Sequence, residues 1–234
     1  MAAATWDYFK TDDSDYGFYL DLIARGEGRV LDVGYATGRL LIPYLKAGID
    51  IEGIDSSEEM LSICRDKAAQ RGLAPVLYGQ RMEALDLPQR YTTIIVPGGS
   101  FQLVTDREEA HLTLRRFHAH LEPGGNLAIS LDDPDDEISE DSLGRWRPSA
   151  VAYRPSDGAE LRHDRMLQNV DRAERTSTTL LRYTADLRGR RVAEEVHTMR
   201  MRVYSPDEIR IMLETAGLTD VRMHRGPRAV TATR

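Results

Sequence analysis

Along the first 131 residues, short apolar runs rich in β-branched residues alternate with stretches whose apolar positions recur every three to four residues. Residues 18–25 read as a short helix ended by Gly26 and Gly28. Val30, Leu31 and Val33 then form a buried strand ending near Asp32, and Gly34 and Gly38 frame a tight loop. Leu40, Leu41, Ile42, Tyr44 and Leu45 follow with the apolar density of a helix packed on a sheet, closed by Gly48. Ile49, Ile51 and Ile54 predict a second strand closing in Asp55. Ser56 is the expected cap of the next helix, Glu59 completes a capping-box pattern, and Met60 and Leu61 face inward. Strands are predicted again at 75–78, 91–96 and 126–131, with a helix over 106–122. This alternation predicts an α/β fold, a mostly parallel sheet with helices on both faces.

Beyond residue 150 the period changes to two. Long antiparallel strands are predicted at roughly 159–170, 176–187 and 191–204, with Leu187-Arg188-Gly189-Arg190 as a hairpin turn. Leu181, Tyr183, Ala185 and Leu187 share one face, as do His197, Met199, Met201 and Val203 of the next strand, and these are the predicted inward faces. Ser205-Pro206-Asp207-Glu208 opens a last helix that ends at Ala216-Gly217, and residues 218–224 make a closing strand. The expected organisation is a single domain over 1–234: a cap segment at 1–29, a core at 30–131, an antiparallel β insertion at 145–204 before the last helix, and a closing helix and strand at 205–234.

A chain of 234 residues suffices for one α/β domain with such an elaboration. The formal charge of -7 argues against an extended nucleic-acid surface. Of the 31 basic residues 18 lie beyond residue 144, all of them arginine, so the C-terminal part is locally basic. Cys64 is the one cysteine, which excludes an intramolecular disulfide or a cysteine zinc cluster and suits a reducing compartment. No run of eighteen apolar residues exists and the first residues lack signal-peptide regions, so the expected location is the cytoplasm, with no membrane partner.

A strand, a glycine loop and a helix in succession leave backbone N–H groups and bare main chain open to a ligand, with a nucleotide as the natural occupant. A purely structural turn is the alternative. A dinucleotide fingerprint counted from Gly34 asks for glycine at Ala36 and Arg39, and both are absent. Asp55, some twenty residues beyond the loop at the tip of the neighbouring strand, can accept both hydroxyls of a ribose with either kind of cofactor.

The acidic-x-Gly-x-Gly-x-Gly pattern carried by Asp32, Gly34, Ala36 and Gly38 resembles the first motif of class I S-adenosylmethionine-dependent methyltransferases. Residues 85–97, the Glu122-Pro123-Gly124-Gly125 turn and the Tyr204-Ser205-Pro206 block resemble further motifs of bacterial small-molecule enzymes in that family, over 30–131 and 204–224. The resemblance implies a Rossmann-like methyltransferase sheet, S-adenosylmethionine as cofactor and S-adenosylhomocysteine as product. It implies transfer to an oxygen or nitrogen of a small-molecule acceptor, in secondary metabolism, by a monomer or homodimer. A methyltransferase fold used as a non-catalytic, cofactor-binding interaction protein is the rival.

Carried over, the resemblance places Asp32, Gly34, Tyr35, Ala36, Gly38, Asp55, Ser56 and Met60 around the cofactor, with Gln80, Arg81, Met82, Glu83 and Pro97 completing the site. Gln80 or Arg81 stands where the family has an acid for the adenine amino group. Tyr8 or Tyr16 of the aromatic N-terminal segment would cover the cofactor, and Tyr16, Ser100, Phe101, Gln102 and Trp146 are acceptor-contact candidates. Pro97-Gly98-Gly99-Ser100 lacks the polar and aromatic head of nucleobase and protein-amide enzymes. Sugar N-methyltransferases carry a similar antiparallel excursion that roofs the acceptor or pairs subunits, which makes His197 and Tyr183 catalytic candidates, each with a packing role as the alternative. His118 and His120 lie at the far end of their helix and read as structural. The acidic run at 132–141 reads as a solvated loop, and no metal is expected.

Overall fold

A computed structural model describes residues 1–132 and 143–234, so most of the acidic run lies outside the described residues. The chain divides into two compact units, Asp13–Asp132 with Tyr204–Arg234, and Met1–Asp12 with Asp133–Val203. Helix α1 (Ala2–Phe9) belongs to the smaller unit. The larger unit starts with α2 (Tyr16–Ile23) and continues through β1 (Val30–Val33), α3 (Leu41–Lys46), β2 (Ile51–Asp55), α4 (Glu58–Ala69), β3 (Val76–Gly79), β4 (Tyr91–Val96), α5 (Arg107–His120) and β5 (Leu121–Ser130). The smaller unit then contributes β6 (Arg147–Tyr153), β7 (Glu160–Asp171), β8 (Thr176–Leu187) and β9 (Arg190–Arg202), before the chain returns with α6 (Pro206–Thr215), β10 (Thr219–Arg225) and β11 (Arg228–Thr233).

The larger sheet has the order β10-β11-β5-β4-β1-β2-β3. Strands β1 to β5 pair in parallel, and β11 runs antiparallel to both β5 and β10. The order reverses at β1, where the chain passes from β1 to β2 on one side and later returns as β4 on the other. Open α/β sheets bind ligands at that switch point, beyond the carboxyl ends of the strands. Val30, Leu31 and Val33 are fully buried, as are Ile94 to Val96, which is why these strands read as unbroken apolar runs rather than alternating ones. One buried cluster centres on Leu31, Ile94, Phe117 and Leu213, and a second on Tyr19, Leu41, Tyr44 and Ile95.

Three local expectations need correction. Ser57, not Ser56, caps α4: its side chain accepts from the Met60 N–H at 3.3 Å. Asp55 causes the shift, because its Oδ1 accepts from the Ser57 N–H at 2.9 Å and the chain turns through Ser56 before the helix begins. The Pro-Gly-Gly segment lies inside β5 as an irregularity where the pairing slips between Tyr91 and Thr93, rather than before the strand. The close of the chain is a hairpin of β10 and β11 instead of one strand. The cap of α6 stands as predicted, with Ser205 accepting from the Glu208 N–H and proline in the first turn.

The smaller unit is a four-stranded antiparallel sheet in the order β6-β7-β8-β9. Its hairpin turn at Arg188 and Gly189 has positive φ at both positions, 52° and 76°, the geometry that matches strand twist. Tyr183 faces His163 across β7 and Glu195 across β9, and Leu181 faces His197, so these side chains share one face as the alternation predicted. The expected cap at 1–29 is divided between the units. Phe9 of α1 lies 5.7 Å from the His163 ring and 6.2 Å from Tyr183, and the Ala2 N–H donates to Glu195, so α1 packs on this sheet. No helix among the described residues is long and apolar enough to cross a membrane.

Candidate active site

The loop after β1 is built around left-handed residues: Gly34 at φ 75°, Ala36 at 50° and Gly38 at 84°. Glycine is needed at 34 for space as well, since a Cβ there would stand 2.7 Å from Ser100 Oγ. Alanine at 36 accepts a conformation that glycine takes without penalty. Three of the loop amides are used within the protein. Gly34 N donates to the Ile54 carbonyl at 2.8 Å, Gly38 N to the Tyr35 carbonyl at 2.9 Å, and Ala36 N to Asp55 Oδ2 at 2.9 Å. The loop therefore does not present these N–H groups to a ligand, as the sequence had suggested. It is a shaped backbone wall, and its chemistry comes from the acids beside it.

Asp32 is the first of these. It sits in β1 between Gly53 of β2 and Ile95 of β4, is 1% exposed, and neither carboxylate oxygen has a hydrogen-bond partner. Burial pushes its pKa up to about 8, opposed by the nearby Arg39 guanidinium. An unpartnered buried carboxylate is expensive unless a cation meets it. Asp55, the second acid, ties the glycine loop to the start of α4 through its bonds from Ala36 and Ser57. Burial raises its pKa, and those same amides work against the rise. A carboxylate has about four acceptor sites, so Asp55 keeps capacity for a ligand hydroxyl beside these amides.

Tyr35 is buried and its hydroxyl has no hydrogen-bond partner; its ring lies where a side chain at Gly53 would otherwise stand. Met60 is half-buried on α4, and Ser56 is exposed. Gln80 spends both ends of its amide on Asp86, donating to the carbonyl at 3.2 Å and accepting from the N–H at 3.1 Å. Arg81 pairs with Glu83, and Met82 packs against the core in the short 3-10 turn 82–84. Gln80 is thus the brace of this loop, with Met82 and Glu83 on its half-buried side.

In the loop after β4, Pro97 is buried and Ser100 Oγ donates to its carbonyl at 2.8 Å. Phe101 is fully buried with its ring 5.3 Å from Tyr204, and Gln102 is bonded both ways to the Asp132 main chain, at 2.9 Å and 2.6 Å. Phe101 and Gln102 are therefore supports of the loop rather than exposed acceptor contacts. Tyr16 stacks on Tyr44 at 4.7 Å and its carbonyl accepts from the Tyr44 hydroxyl. Tyr19 bonds Ser130 at 2.6 Å in the core.

In the smaller unit, Tyr8 is half-buried on α1. Trp146 carries the Arg182 guanidinium 4.2 Å above its ring, and Arg182 also pairs with Asp164, so the cation over the indole comes from β8 rather than from Arg145 or Arg147. Tyr183 is buried, stacked on His163 at 4.7 Å, and burial raises its pKa. His197 lies on the Tyr183 face of the edge strand, its ring 5.9 Å edge-on from that tyrosine, and is exposed and paired with Glu195 at 2.8 Å. His120 has both ring nitrogens engaged, Nδ1 with the Arg116 carbonyl and Nε2 with the Leu87 N–H, as its structural reading requires. Sequence reasoning passed over His163, Asp15 and Arg39. The last two stood out only as charges flanking apolar segments.

Residues 30–125 match the family model described as a methyltransferase domain. A glycine/sarcosine N-methyltransferase of Halorhodospira halochloris is 32% identical over 126 residues, covering 53% of this chain and 47% of that protein. The chain spans about half the length of the curated relatives it matches. Streptomyces venezuelae DesVI superposes with a TM-score of 0.80 at 19% identity, covering 99% of this chain and 98% of that one. CalS10 of Micromonospora echinaspora, an amino pentose methyltransferase solved with S-adenosylmethionine bound, gives 0.76 at 18%, covering 99% and 95%. The chain shares its fold with these solved methyltransferases.

The buried acid also separates cofactors on physical grounds. A dinucleotide's diphosphate would face the Asp32 carboxylate across a loop whose Gly34, Ala36 and Gly38 amides are already taken, whereas the α-ammonium of S-adenosylmethionine would neutralise it.

Proposed function

We propose that this protein transfers a methyl group from S-adenosylmethionine to a small molecule, an amine nitrogen before an oxygen. The observation that carries the reading is Asp32, a buried carboxylate with two unpartnered oxygens beside the glycine loop. The preference for an amine draws support from relatives named as glycine/sarcosine N-methyltransferases and an amino pentose methyltransferase. S-adenosylmethionine supplies a methyl carbon already activated by its sulfonium, so a neutral amine can displace it without a dedicated base. The chain's own work is positional. Asp32 takes the cofactor's ammonium charge, and Asp55, oriented by the Ala36 and Ser57 amides, accepts from the ribose hydroxyls. The loop held rigid by Phe101 and Gln102 limits water at the transfer point.

Methyl-labelled S-adenosylmethionine offered with glycine, sarcosine and a panel of aminosugars tests the proposal, with DNA, RNA and intact protein as the contrasting acceptors. Label is expected in the small amines. Label confined to a polymer, or calorimetric binding of NADH without binding of S-adenosylhomocysteine, would overturn it.

A further inference from the structure

Next to Asp32 stands a second charge arrangement that neither the glycine motif nor the ribose acid explains. Arg39 follows Gly38 directly, and Asp15 is the N-terminal flanking residue of α2. The two form a two-pronged pair, Nη1 to Oδ1 at 2.6 Å and Nη2 to Oδ2 at 2.7 Å, with side chains 25% and 16% exposed. This is the geometry in which a guanidinium holds any free carboxylate, including that of an amino acid. Arg39 is close enough to Asp32 to be the strongest influence opposing that acid's burial. An unpartnered carboxylate and a guanidinium within electrostatic reach of each other, on either side of one glycine loop, are charge-complementary to an α-amino acid, whose ammonium and carboxylate share one carbon.

Asp15 is not needed where it is for α2 to stay in place. Its side chain makes no capping bond to the helix. Tyr19 is fully buried and bonded to Ser130, and Tyr16 is stacked on Tyr44, so the helix is anchored through its aromatic residues.

Resting on the cofactor assignment above, we propose that Arg39 reads the carboxylate of the cofactor's amino-acid end and that Asp15 is its internal stand-in, displaced when cofactor enters. The exchange replaces one carboxylate by another on the same guanidinium. It sets a tax on affinity, because only the fraction of molecules with Arg39 released can accept the ligand. It also makes the site selective for ligands that carry an intact amino-acid end over bare nucleosides.

The test is calorimetry on the full chain with two ligands: S-adenosylhomocysteine, and 5′-methylthioadenosine, which keeps the nucleoside and sulfur but has no amino acid. Asp15→Asn should tighten S-adenosylhomocysteine about two- to fivefold, the worth of a part-exposed ion pair, and leave methylthioadenosine within about twofold. Arg39→Gln should weaken S-adenosylhomocysteine about tenfold or more with little effect on methylthioadenosine. The proposal is overturned if Asp15→Asn leaves S-adenosylhomocysteine unchanged or weaker, or if Arg39→Gln moves both ligands equally. Should Arg39→Gln fail to fold, the Asp15→Asn arm decides alone. A wild-type chain that binds neither ligand instead overturns the cofactor assignment on which this rests.

Discussion

Replacing Asp32 by asparagine separates the demands of folding from those of binding. The carboxyl is fully buried without a partner, and its pKa stands at about 8 against an ordinary 3.8. Because the folded value lies above the unfolded one, the neutral acid is the form the fold favours. Its contribution to stability is fully present below about pH 4 and is lost as pH rises to about 8. Each pH unit within that window removes about 1.4 kcal/mol. Asparagine does not titrate, so the stability gap between variant and wild type should widen from pH 5 to pH 8, by up to about 4 kcal/mol, whatever constant penalty the buried amide adds. Urea unfolding at several pH values reads this gap directly.

Binding should move the opposite way. Ammonium arriving beside Asp32 lowers its pKa, so near pH 6.5 wild type should release close to one proton on taking up S-adenosylhomocysteine, and the variant none. Calorimetry in buffers of different ionisation enthalpy counts that proton. A stability gap constant within about 0.5 kcal/mol across the window, together with no proton release, would refute both the burial argument and the ammonium assignment.

Ala36→Gly should raise stability by up to about 1 kcal/mol in urea unfolding, because the residue sits at φ 50° where a Cβ is strained; a clear loss would show that the loop depends on the methyl group. Gln102→Leu should cost about 1–3 kcal/mol and speed hydrogen exchange at the Asp132 amide, which would lose its acceptor. His120→Phe should cost about 1–2 kcal/mol by leaving the Leu87 N–H without its acceptor, while cofactor affinity measured by calorimetry stays within about twofold.

What could be read in the chain beforehand followed from local rules with few solutions. The β1 loop was legible because left-handed backbone at 34 and 38 calls for glycine, and the Arg188-Gly189 turn because strand twist demands its geometry. Ser205-Pro206 marked the last helix for the same reason. Elements set by distant partners were not legible. Strand β6 is an exposed edge with Pro148 in it, a composition that argues against a strand unless a neighbour such as β7 is known. Strand β11 has small apolar residues alternating with threonine and owes its place to pairing with β5, some hundred residues earlier. The N-terminal aromatics read as a cofactor cover or as a helix capping the sheet edge, and the contact of Phe9 with His163 and Tyr183 is one that no local pattern encodes. Ser57 displaced Ser56 because one carboxylate, that of Asp55, chose between neighbouring serines.

Charge shows the same division between what is structural and what serves a ligand. The part beyond residue 144 is locally basic in sequence, and many of its arginines pair with carboxylates nearby: Arg182 with Asp164, Arg162 with Glu160, Arg154 with Asp157, and Arg191 with Asp186 and Glu194. Such part-exposed pairs contribute little to stability individually, and their main effect is to cancel the field that a run of bare arginines would create. Asp32 follows the opposite logic. It is buried beyond the reach of solvent, has no hydrogen-bond partner, and lies at the point where the strand order of the parallel sheet reverses. A fold selected for stability alone would place a hydrophobic residue between Val30, Leu31 and Val33, as it does at Ile94 and Ile95 in the next strand. The ammonium of the proposed cofactor would offset the cost of keeping the acid there, in addition to the nearby Arg39 guanidinium.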